Sequence, residues 1–169
     1  ILAMRNSMKA EWAKEQYFID LAAFQKECPQ IKKGKSVPTK SGKVAYKYAP
    51  LEQIVKQVKP LLEKYGFSYT TKMELKPEGV KSIVVSRHRC GHAEETPMEV
   101  PLGTKTEVMS QTQVIAAAQT FAKRYAFINA FGIMTADDDN DGAINEMATT
   151  NQKPAGKPAQ AKKTPFEEA

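Results

Sequence analysis

The chain has 169 residues, 41% of them hydrophobic and 26% charged, with a net charge of +6. That length suits one domain with a core of its own. Two cysteines, Cys28 and Cys90, exclude a disulfide framework and fit a reducing cytoplasm. The longest uncharged stretch, 108–122, is interrupted by Ser110, Gln111, Thr112, Gln113, Gln119 and Thr120, so no membrane span is expected.

The charge is divided unevenly. Residues 1–136 hold 21 Lys/Arg against 12 Asp/Glu, a net +9. Residues 137–147 carry Asp137, Asp138, Asp139, Asp141 and Glu146, a net −5, and residues 148–169 return to +2. A basic folded part points to a polyanionic partner, nucleic acid before a membrane surface.

In chain order, residues 8–27 read as a helix with Tyr17, Leu21, Phe24 and Cys28 on one stripe, stopped by Pro29. Residues 30–48 hold six lysines (32, 33, 35, 40, 43 and 47) and no acid. Gly34, Pro38 and Gly42 forbid a long helix there, and the segment reads as a mobile basic loop. Pro50 opens a second helix, whose stripe is Leu51, Ile54, Val55, Val58, Leu61, Leu62 and Tyr65; Gly66 ends it. Pro60 predicts a kink or break within it.

From Phe67 to Leu75 apolar and polar residues alternate, which is a strand. Lys76-Pro77-Glu78-Gly79 is a turn, 80–89 a β-branched second strand, and Cys90-Gly91 turns into a third strand ending near Leu102. Ser110-x-x-Gln113 matches a capping box and opens the longest helix, 111–131, closed by Gly132. Its expected buried stripe is Val114, Ala118, Phe121, Tyr125 and Ile128, with Gln113, Thr120, Arg124 and Phe127 on a different face that reads as solvated; Phe127 is the odd member there and also fits a wide core stripe. After residue 148 the Asn, Gln, Lys, Pro, Ala and Thr content reads as a flexible tail. The expected fold is α+β: a three-stranded antiparallel sheet in a β-β-β-α core with flanking helices. Domain 1–147, with an acidic loop at 137–142, is followed by a disordered tail, 148–169.

Several motifs invite enzymatic readings. Gly34-Lys35-Ser36 resembles the end of a phosphate loop, but Pro29 occupies the position of its first glycine, and Gly42-Lys43 is followed by Val44. ATP hydrolysis is therefore not expected. His88-x-Cys90-x-His92 lacks a fourth metal ligand at a familiar spacing and reads as a structural turn. His92-x-Glu94 lacks the later Pro-Cys-x-x-Cys of zinc deaminases. Asp137-x-Asp139-x-Asp141-Gly142 matches half a calcium loop, but Ala148 stands where a bidentate Glu is required. A metal-dependent nuclease using these acids remains the enzymatic alternative.

Non-catalytic binding fits better. Tyr46-Lys47-Tyr48 joins two rings to a cation beside further lysines, the pairing that single-strand binders need for bases and phosphates. Arg87 and Arg89 share a strand face by the period of two, and Lys123-Arg124 lies on the long helix.

Tyr46-Lys47-Tyr48-Ala49-Pro50-Leu51-Glu52-Gln53-Ile54, then Val58-Lys59-Pro60-Leu61-Leu62 and Tyr65-Gly66-Phe67, form one ordered block. Pro101-Leu102-Gly103, Gln113, Thr120-Phe121-Ala122-Lys123-Arg124-Tyr125-Ala126, Gly132-Ile133 and the 137–142 acids form a second. Together, over about residues 44–142, they resemble the Erf (essential recombination function) family of phage single-strand annealing proteins. The family's central block commonly reads Thr-Tyr-Ala-Arg-Arg-Tyr, and this chain keeps both cations.

The resemblance implies a β-β-β-α core, assembly into rings or helical filaments, and a basic groove for single-stranded DNA. It also implies annealing without ATP or another cofactor. From the matched blocks, Tyr46, Lys47, Gln113, Lys123 and Arg124 are expected to bind DNA. Charge, aromaticity and strand period add Lys40, Lys43, Tyr48, Arg87, Arg89 and Lys105. Expected partners are single-stranded DNA, the annealed duplex intermediate, further copies of the chain, and a phage exonuclease or host single-strand-binding protein. A cytoplasmic location in an infected or prophage-bearing bacterium follows from the same resemblance. Coating of single-stranded nucleic acid without annealing is the remaining alternative.

Overall fold

The computed structural model describes residues 1–38, 44–103 and 110–136. The acidic loop at 137–142 and the tail at 148–169 lie outside them. In order come α1 (Leu2–Glu27), β1 (Lys35–Pro38), β2 (Val44–Tyr48), α2 (Leu51–Lys64), β3 (Phe67–Leu75), β4 (Gly79–His88), β5 (Ala93–Pro101) and α3 (Gln111–Phe131). The fold is α+β, and its centre is the antiparallel sheet β3-β4-β5.

Helices cover one face of this sheet. Strand alternation sends Val80, Ser82, Val84, Ser86 and His88 of β4 to that face, where all are buried. Tyr17 of α1 meets it through a 2.6 Å hydrogen bond between its hydroxyl and Ser86 Oγ. Ala118 and Ala122 of α3 pack with Val80. Ile54, Val58 and Leu62 of α2 join Tyr17, Phe24, Phe67, Phe127 and Phe131 in the main core. Burial pushes the Tyr17 hydroxyl pKa above its usual value.

The opposite face is not covered by a helix, and several of its charges are paired across strands. Lys72 reaches Glu95 at 3.1 Å and Lys76 reaches Glu99 at 2.7 Å. Arg87 donates to Thr70 Oγ1 at 2.8 Å. At the sheet's edge, β5 carries Pro97 and Pro101. The hydrogen bonds from His88 N–H to His92 O and from Leu102 N–H to Glu78 O fix the ladder phase. By that phase both prolines occupy positions whose amides point away from β4.

The segment 30–48 differs from expectation. It contains a hairpin: Lys35 pairs with Tyr48, Ser36 with Lys47 and Val37 with Tyr46. Gly34 and Pro38 exclude a helix but not a strand pair, and Val37, Val44 and Tyr48 are good strand formers. Helix α1 begins six residues before the expected start, and α2 runs unbroken through Pro60. Pro60 is exposed, so water can serve the carbonyl that its missing N–H leaves unpaired.

The packing of α3 is the main correction. Its buried residues are Val114, Ala118, Ala122, Ala126, Phe127, Ala130 and Phe131, whereas Phe121, Tyr125 and Ile128 are half-buried. The stripe advances in steps of four along small alanines, which permit close approach to the sheet, and it reaches Phe127 at the far end. Phe127 is 1% exposed and belongs to the core, so the wide-stripe reading holds for it and the solvated one does not. Both ends of α3 are as expected. Ser110 and Gln113 form the capping box, and Gly132 takes the left-handed conformation at φ 62°.

Candidate nucleic-acid interface

The hairpin and the long helix meet at Arg124. Its guanidinium lies 4.9 Å from the Tyr48 ring centre, 4.9 Å from that of Tyr125 and 5.4 Å from that of Phe121. Phe121 and Tyr125 lie one helical turn apart and stack at 4.3 Å with 39° between planes. Tyr48 ends β2 opposite Lys35, and the next residue, Ala49, is buried and anchors the strand end to the core. Sequence positions 76 apart thus form one cationic, aromatic patch. Lys47 of β2 and Lys123 of α3 are exposed beside Tyr48 and Arg124 in sequence.

Chemically, the patch offers flat rings for stacking and fixed positive charge for phosphates. The contact of Arg124 with Tyr48 ties the hairpin to the helix, and the Arg124 side chain is half-buried there.

The remaining expected site residues are dispersed. Arg87 lies on the open sheet face, bonded to Thr70, away from the face that α3 covers. Arg89 falls in the turn after β4 and donates to Asp20 of α1 at 3.1 Å. Arg87, Arg89, Lys123 and Arg124 therefore do not line one groove. Gln113 accepts a bond from Ser110 N–H at 2.8 Å, eleven residues or about 16 Å before Arg124 along α3. Lys40, Lys43 and Lys105 lie outside the described residues, as does the side chain of Tyr46.

Phe121 and Tyr125 are the residues that the sequence reading assigned elsewhere. Their spacing of three before and one after Arg124 is the signal for them. So is the run of alanines at 118, 122, 126 and 130, which marks the true sheet-facing stripe.

The His88-x-Cys90-x-His92 segment is a turn. His88 Nε2 lies 3.0 Å from the Tyr65 carbonyl oxygen and 3.0 Å from Asp20 Oδ2. A carbonyl only accepts, so this nitrogen carries the proton. His92 Nε2 lies 2.7 Å from Glu94 Oε1, and its ring stands 5.2 Å from that of Tyr17. Among the described residues, no three His, Cys, Asp or Glu side chains gather as a metal site. Nor, among them, is any helix long and apolar enough to cross a membrane.

The fold and the patch define a basic α+β protein whose hairpin and long helix present rings around a cation. The chain belongs to the ERF superfamily, whose family model matches residues 18–166. Membership places it generally among phage recombination and single-strand annealing proteins. No curated protein matches the chain.

Proposed function

We propose that this protein binds single-stranded DNA at the patch built on Tyr48, Phe121, Arg124 and Tyr125, and anneals complementary strands without ATP. The observation that carries the reading is Arg124 over the Tyr48 ring at 4.9 Å. This contact joins the two sequence blocks that resemble annealing proteins into one surface of rings and cations. Family membership supports the same reading.

In this mechanism no covalent bond changes. Lysines and Arg124 neutralise phosphates, and released counterions supply much of the affinity. Rings hold bases unstacked from their own strand, which leaves their pairing edges open to a second strand. Several copies along one strand, as a ring or filament, would keep enough bases aligned for pairing. An exonuclease or a host single-strand-binding protein would supply or release the strand, in a bacterial cytoplasm.

Two labelled complementary oligonucleotides, mixed with the protein in the absence of nucleotide and divalent cation, test the proposal. Pairing should be faster than in the protein-free mixture, and ATP should leave the rate unchanged. Binding without faster pairing would reduce the function to strand coating. Strand cleavage on adding magnesium would overturn the non-enzymatic reading.

A further inference from the structure

The aromatic patch runs on into an apolar groove. Val100 and Pro101 of β5 and Val114, Ala117, Ala118 and Phe121 of α3 wall an open groove of about 310 Å³. Phe121 is shared, since it is also one of the rings around the Arg124 guanidinium and stacks on Tyr125. At about 100° per residue, Ala117, Phe121 and Arg124 fall within about 60° of one another around α3. Arg124 stands three residues, about 4.5 Å of rise, beyond Phe121. Ala117 is exposed, so the groove is open on the helix face that also carries the cation.

Continuity with the rings and the cation selects the occupant. A strand whose bases stack on Phe121 and whose phosphates meet Arg124 passes the mouth of the groove, so what enters is a base. Among the described residues no polar side chain lines the groove. A base edge carrying donors or acceptors would lose its water there and gain no side-chain partner. The purines show N7 with O6 or N6 on the edge that they do not pair through, cytosine shows its amino group, and thymine shows a methyl. Ala and Phe side chains are the apolar contacts that a thymine methyl takes, and Val offers the same chemistry. The methyl sits on the C5–C6 edge, opposite the C2–N3 side of the ring through which the base pairs. A thymine that enters methyl first therefore keeps its pairing edge turned outward.

We propose that the groove is a thymine subsite, which takes the methyl edge of one base of a bound strand and leaves its pairing edge free for a second strand. The subsite rests on the reading that single-stranded DNA binds at the patch, and it adds a base preference to that reading. Stacking on Tyr48, Phe121 or Tyr125 is tolerant of sequence, because every base has a π face. The groove is selective because it meets one edge.

The test titrates the full chain with two strands of equal length, one all thymidine and one all deoxyuridine, which differ only in the methyl. The thymidine strand should bind at least about fourfold tighter, the effect of burying one methyl. Ala117→Gln, which fills the groove from an exposed position, should bring the ratio of the two affinities to about one. Ala117→Ser puts a hydroxyl on the same wall and should lower the ratio in the same direction, which decides the question where Ala117→Gln does not fold. Tyr48→Ala, outside the groove, should weaken both strands and keep the ratio.

Equal binding of the two strands by the wild type would overturn the subsite and leave the patch reading standing. Binding of neither strand would overturn the patch reading, and the subsite with it. A folded Ala117 variant that keeps the full thymidine preference would also overturn the subsite, because the methyl would then act through stacking on the rings.

Discussion

Gln113 and Arg89 show that a polar residue chosen as a DNA-binding candidate can serve the fold. Gln113 completes a helix cap, so Gln113→Ala should cost about 1 kcal/mol of stability and leave single-strand affinity unchanged. Thermal unfolding and a binding titration on the same variant check this. Lys123 is exposed on α3, and Lys123→Ala should keep the melting temperature while reducing the slope of log affinity against log salt by about 0.7. Tyr48→Ala should weaken binding by about 1–3 kcal/mol for the base it stacks on and leave the salt slope nearly constant. Arg89 should behave otherwise. Its bond to Asp20 joins the β4–β5 turn to α1, so its removal should affect unfolding and not the salt slope. The sequence singled out Tyr48 and Arg124 as candidates from residue type and motif, and the structure brings the two together. The sequence could not separate Arg124 from Arg87, because the period of two places Arg87 on a face without saying which face the helices cover.

At the scale of elements, strands and caps were legible, while the packing of α3 was not. Strand alternation, the Lys76–Gly79 turn and the Ser110/Gln113 cap are local signals, and each appears where it was expected. The buried face of α3 depends instead on how near the helix comes to the sheet. Ranking residues by size selects Phe121 and Tyr125 for the core, but the close approach selects Ala122 and Ala126. Ala126→Leu should accordingly overpack this seam and destabilise by about 1–3 kcal/mol. A fall of about 2–4 °C in melting temperature for each kcal/mol would reveal it. The hairpin was hidden for a related reason, since pairing partners outweighed the local Gly and Pro signals. The ends of α1 and α2 are joined by Lys64 Nζ bonding Glu27 at 2.7 Å. That bond holds the Glu27 carboxyl below its ordinary value of 4.5. Its contribution is therefore present above pH 4.5 and is lost as pH falls through the lowered folded value. Melting curves of the wild type and Glu27→Gln should differ at neutral pH and low salt, and converge in acid.

At the scale of the whole molecule, the +9 of residues 1–136 is not expressed equally on every side. On the open sheet face, Lys72 and Lys76 are paired with carboxylates, whereas Lys47, Lys123 and Arg124 belong to the hairpin and α3. Composition predicts a polyanion partner but cannot say on which side it sits. The topology adds that helices cover one face of the sheet, while Lys72 and Lys76 are paired with carboxylates on the other.

Pro97 and Pro101 carry a consequence for crowded conditions, such as many copies lined up on one strand. Backbone templating between sheets propagates only if every unit offers two competent edges. In β5 two outward positions hold prolines and have no hydrogen to give, whereas β3 runs for nine residues without one. A three-stranded sheet with one competent edge is a chain terminator in the polymer sense, because any accidental β3-to-β3 pairing ends at two. Edge-to-edge growth of this sheet is thus capped at a pair of copies, so crowding does not turn it into a template for cross-β fibres.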